Sequence, residues 1–201
     1  MRALYSKSDT TRTGRSERHG LRSFVILIGC LGVMWVGCLV KGQGQESQVS
    51  EYKIKAAFVL NFARFAEWPP ASFAAKDSPL TIGVFGKNPF GGDLEEVMRN
   101  KTISDRAVVT KEIKSLAEAT NCQVLFISSS EKKRLAEIFE RLQSASVLTV
   151  ADMDGFTEAG GMINIVREGT KFRFQINNDA AKKANLKLSS KLLSLALPSS
   201  H

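Results

Sequence analysis

Histidine is the side chain best suited to moving protons near neutral pH. This chain has two, His19 and His201, one near each end. A Ser-His-Asp triad, histidine acid/base work and most zinc sites therefore lack their central group in the body of the chain. Cys122 opens an apolar run with no histidine to activate it, so it reads as a buried, inert thiol. Gly83-x-x-Gly86 and Gly91-Gly92 lie where a strand turns into a helix, but neither G-x-G-x-x-G nor G-x-x-x-x-G-K-[ST] is present. A tight turn is the preferred reading, although a free helix N-terminus there could take a small anion. Asp152-Met153-Asp154-Gly155 echoes a calcium loop, but the glycine comes too early and no later glutamate completes it, so it reads as a surface turn. Glu95 and Glu96 suit the start of a helix. These residues define no catalytic set, no metal site and no cofactor, and the expected class is not an enzyme.

The aromatic and basic residues are more informative. Trp68 stands between Glu67 and Pro69-Pro70, at the end of an element, where a half-exposed ring can face a ligand or a partner. Arg64 lies one turn earlier. Arg173 alternates with Phe172 and Phe174, which places it opposite the presumed core. Arg64, Trp68 and Arg173 are thus the candidate contacts, and arginines lying over apolar surface are the competing reading.

The address comes first in the chain. Arg12, Arg15, Arg18 and Arg22 precede the uncharged run 24–40, the layout of a secretory leader. At ~1.5 Å per residue such a run sits at the short edge of what spans a bilayer, so a retained anchor is the alternative to cleavage around residues 37–44. Cys30 and Cys38 read as ordinary apolar residues of the leader rather than lipidation sites. Residues 1–42 are expected to form the signal peptide or anchor, 43–50 a polar linker and 51–197 one domain. The first 42 residues carry +5 of the chain's net +8, leaving +3 for the remainder. A body so weakly basic is not expected to bind nucleic acid. Its single cysteine cannot close an internal disulfide, so its core must hold it together unaided.

Within the body, apolar spacing predicts a helix from Ser50 to Trp68, stopped by Pro69-Pro70. Strands are expected at 80–86, 106–113, 122–128 and 146–150. Helices are expected to begin at Asn88-Pro89 and at Ser130. Such alternation implies right-handed crossovers and a parallel sheet. The stretch GGMINIVREGTKFRFQIN, residues 160–177, breaks the rhythm. Its two apolar runs flank Glu168-Gly169-Thr170 and should form an antiparallel hairpin with a three-residue loop. Its paired glycines are expected where a side chain would clash. Asn178-Asp179 should cap a last helical segment, followed by an apolar tail over 186–196. The expected fold is α/β: a mainly parallel sheet flanked by helices, with a C-terminal antiparallel hairpin.

Three stretches in this order, AAFVLNFARFAEWP (56–69), VFGKNPFGGDLEE (84–96) and GGMINIVREGTKFRFQIN with the tail LKLSSKLLSLA, resemble the YfiR family of periplasmic regulators. The resemblance covers about Glu51 to Ala196. It implies an exported, periplasmic α/β module that represses a membrane diguanylate cyclase by binding its periplasmic sensor portion, and so holds down cyclic di-GMP synthesis. The partner could equally be a sensor kinase, and an outer-membrane lipoprotein is a further implied partner. A homodimer is compatible with an exposed aromatic surface. Well-known members use cysteine pairs for redox control. Cys122 has no mate here, so the resemblance does not extend to that control. The alternative is a periplasmic small-molecule sensor with its site near Phe85–Gly92, at the open end of the sheet.

Overall fold

Five parallel strands organise the structure, a computed structural model that describes residues 43–197. Residues 1–42, expected to be the leader, with Cys30, Cys38 and His19, lie outside the described residues, as does His201. The chain opens with helix α1 (Gln43–Arg64), followed by the short strand β1 (Ala66–Glu67) and a brief 3-10 turn over Pro70–Ser72. Next come β2 (Leu80–Phe85), α2 (Asp93–Met98), β3 (Thr102–Ile103) and β4 (Arg106–Ile113). These are followed by α3 (Leu116–Ala119), β5 (Val124–Ile127), α4 (Leu135–Leu142) and β6 (Leu148–Ala151). The hairpin β7 (Ile163–Glu168) and β8 (Lys171–Ile176) leads into α5 (Asn178–Lys183), β9 (Lys187–Leu188) and α6 (Ser190–Leu195). The main sheet runs β3-β4-β2-β5-β6-β7-β8, parallel from β4 to β7 and antiparallel at both edges. The α/β class, the mainly parallel sheet and the C-terminal hairpin are as expected.

A parallel sheet must be covered on both faces, and this one is. The burial patterns show it directly, since β5 and β6 are buried at every position. On one face the α1 residues Ala56, Val59, Leu60, Phe62 and Ala63 pack over Ile82, Val84, Phe126, Val150 and Ile163. Phe62 meets Phe174 of β8 edge-on, with ring centroids 5.1 Å apart. On the other face Leu135, Ile138 and Leu142 of α4, joined by Phe156, cover Leu125, Ile127 and Ala151. Each such side chain contributes roughly 1.5–3 kcal/mol on burial.

Tertiary partners shift several element ends. Helix α1 begins at Gln43, within the stretch expected to be linker, where no proline interrupts it. It stops at Arg64 rather than Trp68. Ala66 and Glu67 instead pair with Leu188 and Lys187 of β9, and the Ser189 N–H bonds the Phe65 carbonyl at 2.9 Å. The segment at Asn88-Pro89 is not helical. The Asn88 side chain accepts from the Phe90 N–H at 2.9 Å in a turn, and the helix starts at Asp93. Ser128 rather than Ser130 caps the 3-10 turn that precedes α4. Asn177 rather than Asn178 caps α5, taking the Ala180 N–H at 2.9 Å. The hairpin loop holds two residues, not three, because Glu168 still pairs with Lys171, and Gly169 at φ 60° supplies the positive dihedral such a loop needs.

The glycine pair at the mouth of β7 has a steric cause. Gly160 sits at φ 108°, and a Cβ on Gly161 would lie 2.2 Å from the Phe156 ring, itself fully buried. Gly161→Ala is expected to lower stability by about 2 kcal/mol through overpacking. The double variant Gly161→Ala/Phe156→Leu should lose less than the two single variants summed, read as non-additive urea midpoints.

Candidate functional site

The carboxyl ends of the strands carry a cluster of charged side chains. Lys55 lies one helical turn before Val59 on the buried stripe of α1, and its ammonium is enclosed. Its Nζ donates to Asp152 Oδ2 at 2.7 Å and pairs with Glu51 Oε1 at 2.6 Å. Asp152 follows β6 directly, and the side chains of Lys55 and Asp152 are each only 8% exposed. The second oxygen of Glu51 takes a hydrogen bond from Arg167 of β7 at 3.1 Å. Two rings complete the cluster: Lys55 Nζ is 4.5 Å from the Tyr52 centroid, and Arg167 lies over Phe172 at 5.5 Å. The groups border a cleft of about 310 Å³, where Asn164 accepts the Met153 N–H and so fixes the loop carrying Asp152.

Electrostatics determine what this cluster can do. Burial alone would push the Lys55 ammonium down, but hydrogen bonds to Asp152 and Glu51 outweigh it and its pKa is raised. The Tyr52 phenol is also raised, by burial first and then by the negative charge of Asp152. A lysine held charged is no nucleophile, and the carboxylates that hold it are occupied as its acceptors. The arrangement is a clamp fastening α1 to the ends of β6 and β7. Elsewhere, burial pushes the Cys122 thiol up to about 11, far from the thiolate a nucleophile requires. Among the described residues no group of His, Cys, Asp and Glu is placed to hold a metal ion.

The three residues singled out from sequence lie apart from this clamp. Arg64 is exposed in the last turn of α1, and Arg173 is exposed on β8 opposite Val166. Trp68 is half-buried against the α1-side core, and its indole N–H donates to the Gln123 carbonyl at 3.0 Å. Among the described residues no hydrogen bond, ion pair or ring contact links the three. The loop 86–92, the alternative site, already uses two of its amides. The Lys87 N–H donates to Ser130 Oγ at 3.0 Å and the Phe90 N–H to Asn88. Sequence reasoning missed Lys55 and Asp152. They are 97 residues apart, and a lysine beside an apolar stripe looks like solvated surface. The one available signal was Lys55 at the i, i+4 spacing from Glu51 and from Val59.

Both raised pKa values predict an alkaline weakness. The folded state binds the Lys55 proton more tightly than an ordinary lysine at 10.5, and the Tyr52 proton more tightly than an ordinary tyrosine at 10.0. Their contribution is therefore complete below the ordinary values and lost as pH climbs through the raised ones. Urea midpoints should stay level from neutral pH to about pH 10 and then fall, and Lys55→Met should flatten that fall. At neutral pH Asp152→Ala, which leaves the lysine half-paired, should cost about 3 kcal/mol. The apolar double replacement Lys55→Met/Asp152→Leu should cost less than that.

A protein-family model described as YfiR/HmsC-like matches residues 52–197. No curated protein matches the chain. Among solved structures, a conserved domain protein from Vibrio cholerae O1 biovar eltor is similar at 10% identity and a TM-score of 0.45, over 58% of this chain. The ABC domain in complex with L-Trp from Streptococcus pneumonia is similar at 14% identity and a TM-score of 0.42, also over 58% of this chain. The chain spans about half the length of each, 53% in both cases.

Proposed function

The chain belongs to the YfiR/HmsC-like family, and from that premise we propose that it is an exported, non-enzymatic regulator. It binds the periplasmic sensor portion of a membrane signalling protein and represses a diguanylate cyclase, lowering cyclic di-GMP. The observation that carries this reading is the extent of the family match, which runs through the whole sheet from α1 to Leu197. The family is one of periplasmic regulators of cyclic di-GMP synthesis. The chemistry is compatible with such a role, because the buried ionic cluster around Lys55 is spent on holding α1.

Regulation without catalysis works by differential affinity. A domain that binds the inactive conformation of its partner more tightly than the active one shifts the population by that ratio and no more. Arg64 and Arg173, both exposed and in no ion pair among the described residues, are the proposed cationic contacts. Trp68, half-buried against the core, is the proposed aromatic contact. Residues 1–42 are the proposed export signal or retained anchor and 51–197 the working domain. A sensor kinase as partner, an outer-membrane lipoprotein and a homodimer are finer variants of the same reading. Redox control through an internal bridge does not belong to it, since Cys122 is buried and is the only cysteine among the described residues.

The second reading, a small-molecule sensor, is favoured by one feature, the cleft of about 310 Å³ beside Lys55 and Asp152. In that reading the cleft takes over from the loop at Phe85–Gly92.

Deleting the gene in its own host should raise cellular cyclic di-GMP about fivefold or more. Restoring the full chain should reverse the rise, and a form lacking residues 1–42 should not. Unchanged cyclic di-GMP on deletion would contradict the repressor reading. A deletion phenotype reversed by the leaderless form would contradict export.

A further inference from the structure

At the end of the sheet opposite the clamp, the amino ends of β2, β5 and β6 border a groove of about 850 Å³ between the loop 69–79 and the segments 120–123 and 141–146. We propose that this groove receives an extended polypeptide segment of the signalling partner, with an acidic side chain set against Arg141. The inference rests on the docking reading above and names the chemistry of the contact.

Three observations carry it. The first is Ser72, a residue of the groove wall whose Oγ is buried and is the one such side-chain oxygen or nitrogen without a hydrogen-bond partner among the described residues. A buried hydroxyl left unpaired costs stability, and in the proposed complex a turn about its Cα–Cβ bond presents it to the bound segment. The second is charge. The lining contains no aspartate or glutamate, and Arg141 is exposed and in no ion pair among the described residues. The third is construction. Gln123, 5% exposed, donates from Nε2 to the Ser72 carbonyl at 2.7 Å and accepts the Thr81 N–H at 2.8 Å, while its carbonyl takes the Trp68 indole N–H. Arg106 staples the far part of the loop, donating to the Ala75 and Ser78 carbonyls at 3.1 and 2.6 Å. The wall is thus fixed before anything binds, which lowers the ordering cost of association.

The same details select the occupant. A glycan wants an open aromatic platform, and Phe73, the aromatic ring of the lining, already has the Arg106 guanidinium over it at 3.8 Å. A nucleic acid or an anionic membrane wants several cations, and the lining offers one. An open groove rich in hydroxyls and amides with a single positive charge fits an extended peptide, which brings its own row of donors and acceptors.

The test uses the full chain in its host. A photo-crosslinking residue at Ser144 on the groove should capture the membrane signalling partner, and one at Ile54, exposed on α1 beside the clamp, should not. The captured peptide should contain Asp or Glu. Arg141→Glu should weaken partner binding at least tenfold. Ser72→Ala should weaken it severalfold while leaving the thermal midpoint unchanged or higher, which separates lost recognition from lost folding. Partner binding that survives both substitutions, capture from Ile54 instead of Ser144, or a captured segment without acid would overturn the groove assignment and leave the regulator reading standing. A wild-type chain that captures no membrane signalling protein from any position would overturn both.

Discussion

A parallel sheet has no face it can leave to water, and the rest of this structure follows from that constraint. Helix α4 and Phe156 cover one side, so α1 and the C-terminal segment must cover the other. To do so α1 presents a stripe wide enough that Lys55 falls inside it, next to Ala56 and Val59. A buried ammonium is tolerated only when paired and hydrogen-bonded. Asp152 and Glu51 meet that requirement, and Arg167 neutralises the remaining oxygen of Glu51. The clamp is therefore a consequence of the sheet's need for cover, and it fixes the rotation and register of α1 over the strands. Through β1 and β9 the far end of α1 is tied to the C-terminal segment, so both ends of that face are pinned.

This division of labour bears on function. Lys55, Asp152 and Glu51 are paired with one another, and Cys122, the one cysteine among the described residues, is buried with its thiol raised. The surface carries separate exposed arginines, a half-buried tryptophan and a groove at the amino ends of the strands. The YfiR/HmsC-like family suggests a periplasmic regulator of diguanylate cyclase, and such a regulator needs a recognition surface. In the proposed reading the two ends of the sheet do different jobs, one holding the fold and the other facing a partner.

The sequence revealed the regular parts of this plan where local signals and tertiary structure agree. β4 spans Arg106–Ile113 as the alternation indicated, and the apolar runs at 80–86 and 122–128 form central strands. Local signals failed where a distant partner decides. Pro69-Pro70 looked like the stop for α1, but β9 draws the chain out of the helix four residues earlier. Asn88-Pro89 has the composition of a helix start, yet its side chain closes a turn. Of the glycine pair 160–161, expected where a side chain would clash, only Gly161 faces an obstacle, the Phe156 ring, whereas Gly160 serves a backbone at φ 108°. The clamp was hardest to see. Asp152 stood in what looked like a surface turn, and no local pattern links it to Lys55 across 97 residues. Trp68 was noticed as an aromatic at an element end, but its bond to Gln123 depends on a register that spacing does not encode.

On the proposed reading, this domain acts by binding a membrane signalling protein outside the cytoplasm. Calorimetric titration of the purified chain into the isolated periplasmic portion of a diguanylate cyclase from the same host measures that binding. Saturable binding at one site with a negative heat-capacity change is expected, as apolar surface is buried. No heat of binding to the periplasmic portion of any cyclase or sensor kinase of that host would contradict it.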